Sequence, residues 1–242
     1  MLVPHNHSAD VLVLQHLPDD GPAYLAQWLD AQGISWHLFD ADAYPDSVSA
    51  YRGMAVLGGA WSANDDRSSL RSVERLMREA DALGIPIIGH CLGGQLLART
   101  FGGQVERAEI PEIGWVRIET TASEWFGAGN EHVVYQWHYD SFVTLPPGAE
   151  LIASSTTCKN QAFAIGPHLG MQFHIEIDAK QIELWMERPG DQFPQLVDQY
   201  PHSVQTLTEM AAANRMHLDQ SHALARQIYT TWVGKFKSCD TK

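Results

Sequence analysis

Between residues 10 and 101 the chain alternates short apolar runs with longer amphipathic ones, and this alternation constrains the fold more than any other feature. The segments DVLVLQH (10–16), ISWHLFD (34–40) and GMAVLGG (53–59) read as strands. Between the first two lies GPAYLAQWLDAQG (21–33), a helix with Asp20 as a candidate N-cap, Pro22 in its first turn and Gly33 as its stop. SSLRSVERLMREADALG (68–84) is an amphipathic helix that Gly84 ends. The buried run 85–88 predicts a further strand, and 92–101 a further helix. Strands separated by helices of this length imply right-handed crossovers and a mostly parallel sheet with helices on both faces. In such sheets ligands gather at the carboxyl ends of the strands, where Cys91 falls.

From about residue 104 the pattern changes. QVERAEI (104–110), IGWVRIETT (113–121), HVVYQWH (132–138), ELIASS (150–155), QAFAIG (161–166) and LGMQFHIEI (169–177) are strand-like and lack intervening helices, so they should add antiparallel strands. Beyond 178 the chain turns helical: DAKQIELWMER, then the breaker RPGDQFP, then two helical stretches between 202 and 236. At 242 residues, 45% of them hydrophobic, the chain supports one sizeable core. The expected organisation is a domain over 1–180 and a helical extension over 181–242 packed on it.

A net charge of −13 without a basic cluster argues against nucleic acid and anionic membrane surfaces and for a small-molecule or peptide substrate. The opening MLVPHNHSAD lacks a leader pattern and no apolar run approaches a membrane span, which places the expected location in the cytoplasm. Three scattered cysteines, Cys91, Cys158 and Cys239, signal neither a disulfide framework nor a cysteine zinc site. His5 and His7 fit a terminal segment better than a metal site. His217 and His222, five apart on a helix, fall on different faces. Trp185, Tyr229 and Trp232 are expected as core contacts of the last helices.

Cys91 is flanked as Gly89-x-Cys-x-Gly93 at a strand-to-helix turn, the thiol counterpart of a nucleophile elbow. The helix end beneath the sulfur favours a thiolate. A buried structural cysteine is the alternative, and the paired glycines tip the reading toward a nucleophile. In MQFHIEI, His174 and Glu176 lie two apart in a strand-like run, so the carboxylate can hold one ring nitrogen while the other faces a thiol. The alternative is a solvated polar strand face, with Met171, Phe173, Ile175 and Ile177 packed behind it. Gly58 and Gly59 end a strand, and their amides can converge with that of Leu92 on an oxyanion; an ordinary turn is the competing reading.

These motifs, GGAWSANDD, GHCLGGQLLA and MQFHIEI in that order, resemble the class I glutamine amidotransferase family of the Cys-His-Glu type. The chain is most similar to its stand-alone members, related to the amidotransferase domain of guanylate synthase. The likeness covers roughly 10–180, including YQWHYDSFVTLPPGAELIASSTTCKNQAFAIG. It implies a flavodoxin-like α/β fold, no cofactor and no metal. It also implies attack by Cys91 on the γ-carbonyl of glutamine or a γ-glutamyl compound, with His174 moving the proton and Glu176 orienting it. The oxyanion would rest on the amides of Gly59 and Leu92, and substrate would meet Gln95, Trp137, His138, Tyr139 and Asp140. No synthase segment is evident, so either a synthase partner in trans takes the ammonia or the protein is a γ-glutamyl peptide hydrolase acting alone. A non-catalytic binding or regulatory module is the third possibility. The chain departs from the family pattern at Ile175 and Ala60, where proline is common, and at Tyr139, where glycine is.

Overall fold

The computed structural model describes residues 9–41 and 43–237. His5, His7 and Cys239 lie outside them. In chain order the elements are β1 (Val11–Leu14), α1 (Ala23–Ala31), β2 (Trp36–Phe39), β3 (Gly53–Val56), α2 (Ser68–Leu83), β4 (Ile87–His90) and α3 (Leu92–Thr100). There follow β5 (Gln104–Thr120), the short turn α4 (Ser123–Phe126), β6 (Glu131–Thr144), β7 (Glu150–Ser154), β8 (Ala162–Ile165) and β9 (His168–Met171). The last elements are α5 (Ala179–Met186), α6 (Phe193–Gln199) and α7 (Leu207–Gly234).

Among the described residues nine strands join one sheet in the order β2-β1-β3-β4-β9-β8-β7-β5-β6. The first four pairings are parallel and the last four antiparallel, so the added half is as extensive as the parallel half. Strand alternation sorts the parallel half into two cores. Val11 and Val13 face a layer that holds Leu25 and Leu29 of α1 and Ile228, Tyr229 and Trp232 of α7. Leu12 and Leu14 face the opposite layer, which holds Leu70, Val73 and Leu76 of α2 and Leu96 and Leu97 of α3. A third cluster packs Ile182 and Trp185 of α5, Phe193 of α6 and Met210 of α7 against Ile113, Trp115 and Tyr135 of the antiparallel half.

Four sequence expectations are revised. Asp20 does not cap α1, whose N-cap is Pro22 without a side-chain bond; the carboxylate instead accepts from Trp185 Nε1 at 2.9 Å and Arg188 Nη1 at 2.7 Å. The run 169–177 is a strand only as far as Met171, because Gln172 donates its amide to the Gln161 carbonyl and His174 to that of Tyr135. The pieces 104–110 and 113–121 merge into the single bulged strand β5. The two stretches within 202–236 become one helix of 28 residues. It is started by a Thr206–Glu209 capping box and meets no glycine or proline until Gly234. Residues before it are held outside the helix by the bridge between Val204 and Ile113. Among the described residues no helix is long and apolar enough to cross a membrane.

At Gly93 the turn from β4 into α3 is too tight for a side chain. A Cβ on Gly93 would sit 2.1 Å from the Val56 carbonyl oxygen, an approach that backbone cannot relieve without shifting β3. Gly93→Ala is therefore expected to cost at least about 2 kcal/mol in urea denaturation, whereas Gly234→Ala, with open space around it, stays within about 0.5 kcal/mol.

Candidate active site

Cys91 occupies the N-cap of α3 with φ 49° and ψ −109°, a positive-φ conformation that L side chains rarely adopt. Such strain persists only where surrounding contacts enforce it. Here the Cys91 amide is held by the Met171 carbonyl at 2.9 Å, and the Cys91 carbonyl begins the helix by accepting from Gln95. The elbow thus raises the sulfur at the carboxyl end of β4, over the first turn of α3.

His174 Nδ1 lies 2.6 Å from Glu176 Oε1, which leaves Nε2 to the Cys91 sulfur. Both residues are only 2% exposed, so the pair is not a solvated strand face. Burial alone would push His174 down, but the Glu176 carboxylate and the Cys91 sulfur outweigh it and raise the imidazole to about 10. Burial likewise works to raise the Glu176 carboxyl, and the His174 charge holds it below its ordinary range. At neutral pH the histidine accordingly rests as an imidazolium beside the sulfur.

The ring of His174 lies against Gly58, where a Cβ would come within 2.7 Å of Cε1. Gly59 follows, and a Cβ there would press on Leu92 Cδ2 at 3.0 Å. The first glycine thus gives room to the histidine, and the second brings the end of β3 to the start of α3. The Leu92 amide, at the first helical position, has no acceptor within its own helix.

The sulfur opens into a cleft of about 870 Å³ lined by Cys91, His174, Gly59, Gln95 and the stretch Trp137, His138, Tyr139 and Asp140. This is within the roughly 300–1,000 Å³ of small-molecule sites. Gln95 is buried rather than solvated; its amide donates to the Asp140 carbonyl at 2.9 Å and to Gln172 Oε1 at 3.3 Å. Gln172 in turn donates to the Cys91 sulfur at 3.6 Å. Tyr139, at the position that is often glycine in the family, carries the Arg107 guanidinium 4.5 Å from its ring centre, and Arg107 Nη1 is 3.7 Å from Asp140 Oδ1. The His138 side chain turns away from the cleft into a buried cluster with Glu112.

Several contributors escape sequence reasoning. Trp185 packs edge-on to His174 with ring centres 4.7 Å apart, and so does more than fill a core. His90, the residue before the thiol, places Nε2 4.0 Å from Glu176 Oε2 and 3.3 Å from the Tyr229 hydroxyl of α7. Burial pushes His90 down, so it sits behind the carboxylate as a neutral ring. Its position beside Cys91 is a usable signal. The links to Trp185 and Tyr229 cross too much sequence to leave one.

A strand-to-helix cysteine and a buried histidine–carboxylate pair at the carboxyl edge of a parallel sheet define a site suited to acyl transfer. The family model of class-I glutamine amidotransferases matches residues 24–184, and the chain belongs to that family. A glutamine-hydrolysing GMP synthase subunit from Thermoplasma acidophilum is 31% identical over 153 residues, 62% of this chain and 75% of that one. A crystal structure of a glutamine amidotransferase from Methylobacillus flagellatus matches with a TM-score of 0.89 at 31% identity, covering 96% of each chain. One from Thermotoga maritima shares the fold, with a TM-score of 0.82 at 24% identity over 94% of this chain and 99% of that one.

The two described cysteines differ sharply in setting. Burial, helped by the Glu112 carboxylate, pushes the Cys158 thiol up to about 11, while Cys91 lines the open cleft. Iodoacetamide at neutral pH is expected to alkylate Cys91 well before Cys158, as read by peptide mapping. Equal labelling of the folded protein would remove the distinction.

Proposed function

We propose that the protein hydrolyses the γ-amide of glutamine or of a γ-glutamyl compound through a thioester on Cys91. The observation that carries this reading is the convergence of the thiol, the raised His174 and the buried Glu176 at the elbow. Cys91, its proton already passed to His174, attacks the γ-carbonyl carbon as the thiolate, and the oxyanion forms opposite the Gly59 and Leu92 amides. His174, resting as an imidazolium, delivers its proton to the departing amine and then draws one from the water that cleaves the thioester. Glu176 keeps Nδ1 engaged throughout, so Nε2 alone handles the proton. The α-ammonium and α-carboxylate of the substrate suit the backbone of 137–140 together with the Asp140 and Arg107 charges.

The kinship with a GMP synthase component supports delivery of ammonia to a synthase partner in trans. A γ-glutamyl peptide hydrolase acting alone is favoured by a different observation. Beyond the matched family segment, Trp185, Phe193 and Leu196 extend the cleft as an apolar wall beside Trp137. Departing ammonia needs no such wall, whereas a peptide leaving group would pack on it. Following free glutamate from glutamine, γ-glutamyl dipeptides and glutathione, with and without a cell extract containing a synthase, separates the two. Low activity that rises with extract supports the ammonia supplier, and fast, extract-independent peptide cleavage supports the hydrolase. No glutamate from any of them would sink both and leave a binding module.

Two consequences are expected on the preferred substrate. Glu176→Gln should slow turnover about 10²–10⁴-fold, roughly 3–5 kcal/mol, and Cys91→Ala by more, with the double variant no slower than Cys91→Ala. Near-normal turnover in Glu176→Gln would show that this carboxylate does not orient the histidine. Because the leaving amine takes the His174 proton, kcat/KM should hold through neutral pH and fall as pH rises through about 10. An alkaline limb near the ordinary histidine value of 6.5 would contradict an imidazolium held by Glu176 and Cys91.

A further inference from the structure

Behind the cleft wall lies a second group of carboxylate, imidazole and thiol, formed by Glu112, His138 and Cys158, whose donor atoms all fall within 4.8 Å of one another. Glu112 is fully buried. Its Oε2 accepts from His138 Nε2 at 2.9 Å and Gln161 Nε2 at 2.5 Å; its Oε1 accepts from Ser155 Oγ at 2.7 Å and from Thr157 Oγ1. The bonds from His138, Thr157 and Ser155 outweigh burial and keep the carboxyl below its usual range. A cation shared by the three residues would have to break the 2.9 Å bond between Glu112 and His138. Their donor set is already satisfied internally.

His138 carries this anchor toward the cleft. Its Nδ1 lies 3.0 Å from the Asp140 carbonyl oxygen, the same oxygen that takes the 2.9 Å bond from Gln95, and holding both this carbonyl and the Glu112 carboxylate requires a ring that carries both protons. Here β5 and β6 lose register: Arg107 opposes Asp140 and Glu112 opposes His138, so residues 108–111 bulge opposite Tyr139 alone. A bulge interrupts ladder bonds and leaves the partner strand without its regular support. The same strand also holds the reacting groups, since its Tyr135 carbonyl accepts the His174 amide at 2.9 Å and its Trp137 carbonyl lies 3.9 Å from the Cys91 sulfur.

We propose that Glu112 is a positioning residue that acts through His138 to fix the Asp140 carbonyl, and with it the 137–140 backbone at the substrate end of the cleft. This rests on the hydrolytic reading of the cleft given above. Glu112 touches no substrate, so its loss should weaken hold on the glutamyl end while leaving the thiol reactive.

The test compares the parent with Glu112→Gln, using glutamate as a probe that protects Cys91 from iodoacetamide without turnover, alongside hydrolysis of the preferred γ-glutamyl substrate. The variant should alkylate at Cys91 within about twofold of the parent rate, but need roughly tenfold more glutamate for protection and show a KM raised by a similar factor, with kcat changed by less than about threefold. Should Glu112→Gln fail to fold, Thr157→Val removes one donor to Oε1 and is expected to move protection and KM the same way by about threefold. Protection and KM unchanged in a folded variant would overturn the relay, as would a joint fall of kcat and alkylation rate, which marks general damage to the elbow. So would stoichiometric zinc in the purified protein that is lost in Cys158→Ser. A parent that neither hydrolyses γ-glutamyl compounds nor is protected by glutamate would overturn the reading of the cleft itself, and the relay with it.

Discussion

The site depends on how closely the first turn of α3 packs against the ends of β3 and β4. Gly89 and Gly93 remove the side chains that would hold these backbones apart: a Cβ on the first would meet the Gly93 carbonyl oxygen at 2.6 Å, and one on the second the Val56 oxygen. That closeness forces Cys91 into a positive-φ conformation and points its sulfur out of the sheet. Residues at such positions carry roughly 1–3 kcal/mol of strain, which the two buried cores on either side of the sheet support. Everything else in the cleft is placed relative to this fixed sulfur.

The helices after residue 178 are joined to the site. Trp185 of α5 packs on His174 and is tied by its indole nitrogen to Asp20 in the connection after β1. Tyr229 of α7 reaches His90 behind Glu176. Trp185, from the cleft, and Tyr229, from behind His90, both beyond the matched family segment, therefore help to enclose the histidine–carboxylate pair. Enclosure removes water, and in dry surroundings the attraction between Glu176 and His174 is strong enough to keep the imidazole charged.

Much of this is legible from spacing. The alternation of strands and helices over 10–101 locates the parallel half, and the glycines around Cys91 locate the elbow, because both are local requirements of backbone geometry. His174 and Glu176 stand out as neighbours two apart, although the backbone there leaves the ladder at Met171 instead of continuing as a strand. The single helix within 202–236 is harder to see, because apolar runs do not reveal where a capping box begins. Long-range partners are hidden for a different reason. Glu112 and His138 stand 26 positions apart and meet only because β5 and β6 pair with a bulge, and no local pattern encodes that register.

In the proposed mechanism acyl transfer passes through the Cys91 sulfur. Rapid quenching of the protein in acid during turnover of its preferred γ-glutamyl substrate, followed by peptide mass spectrometry, reads this directly. A glutamyl adduct is expected on the peptide bearing Cys91, formed while glutamate is being released and discharged by hydroxylamine. Steady glutamate release with no adduct on Cys91, or an adduct confined to the peptide bearing Cys158, would contradict it.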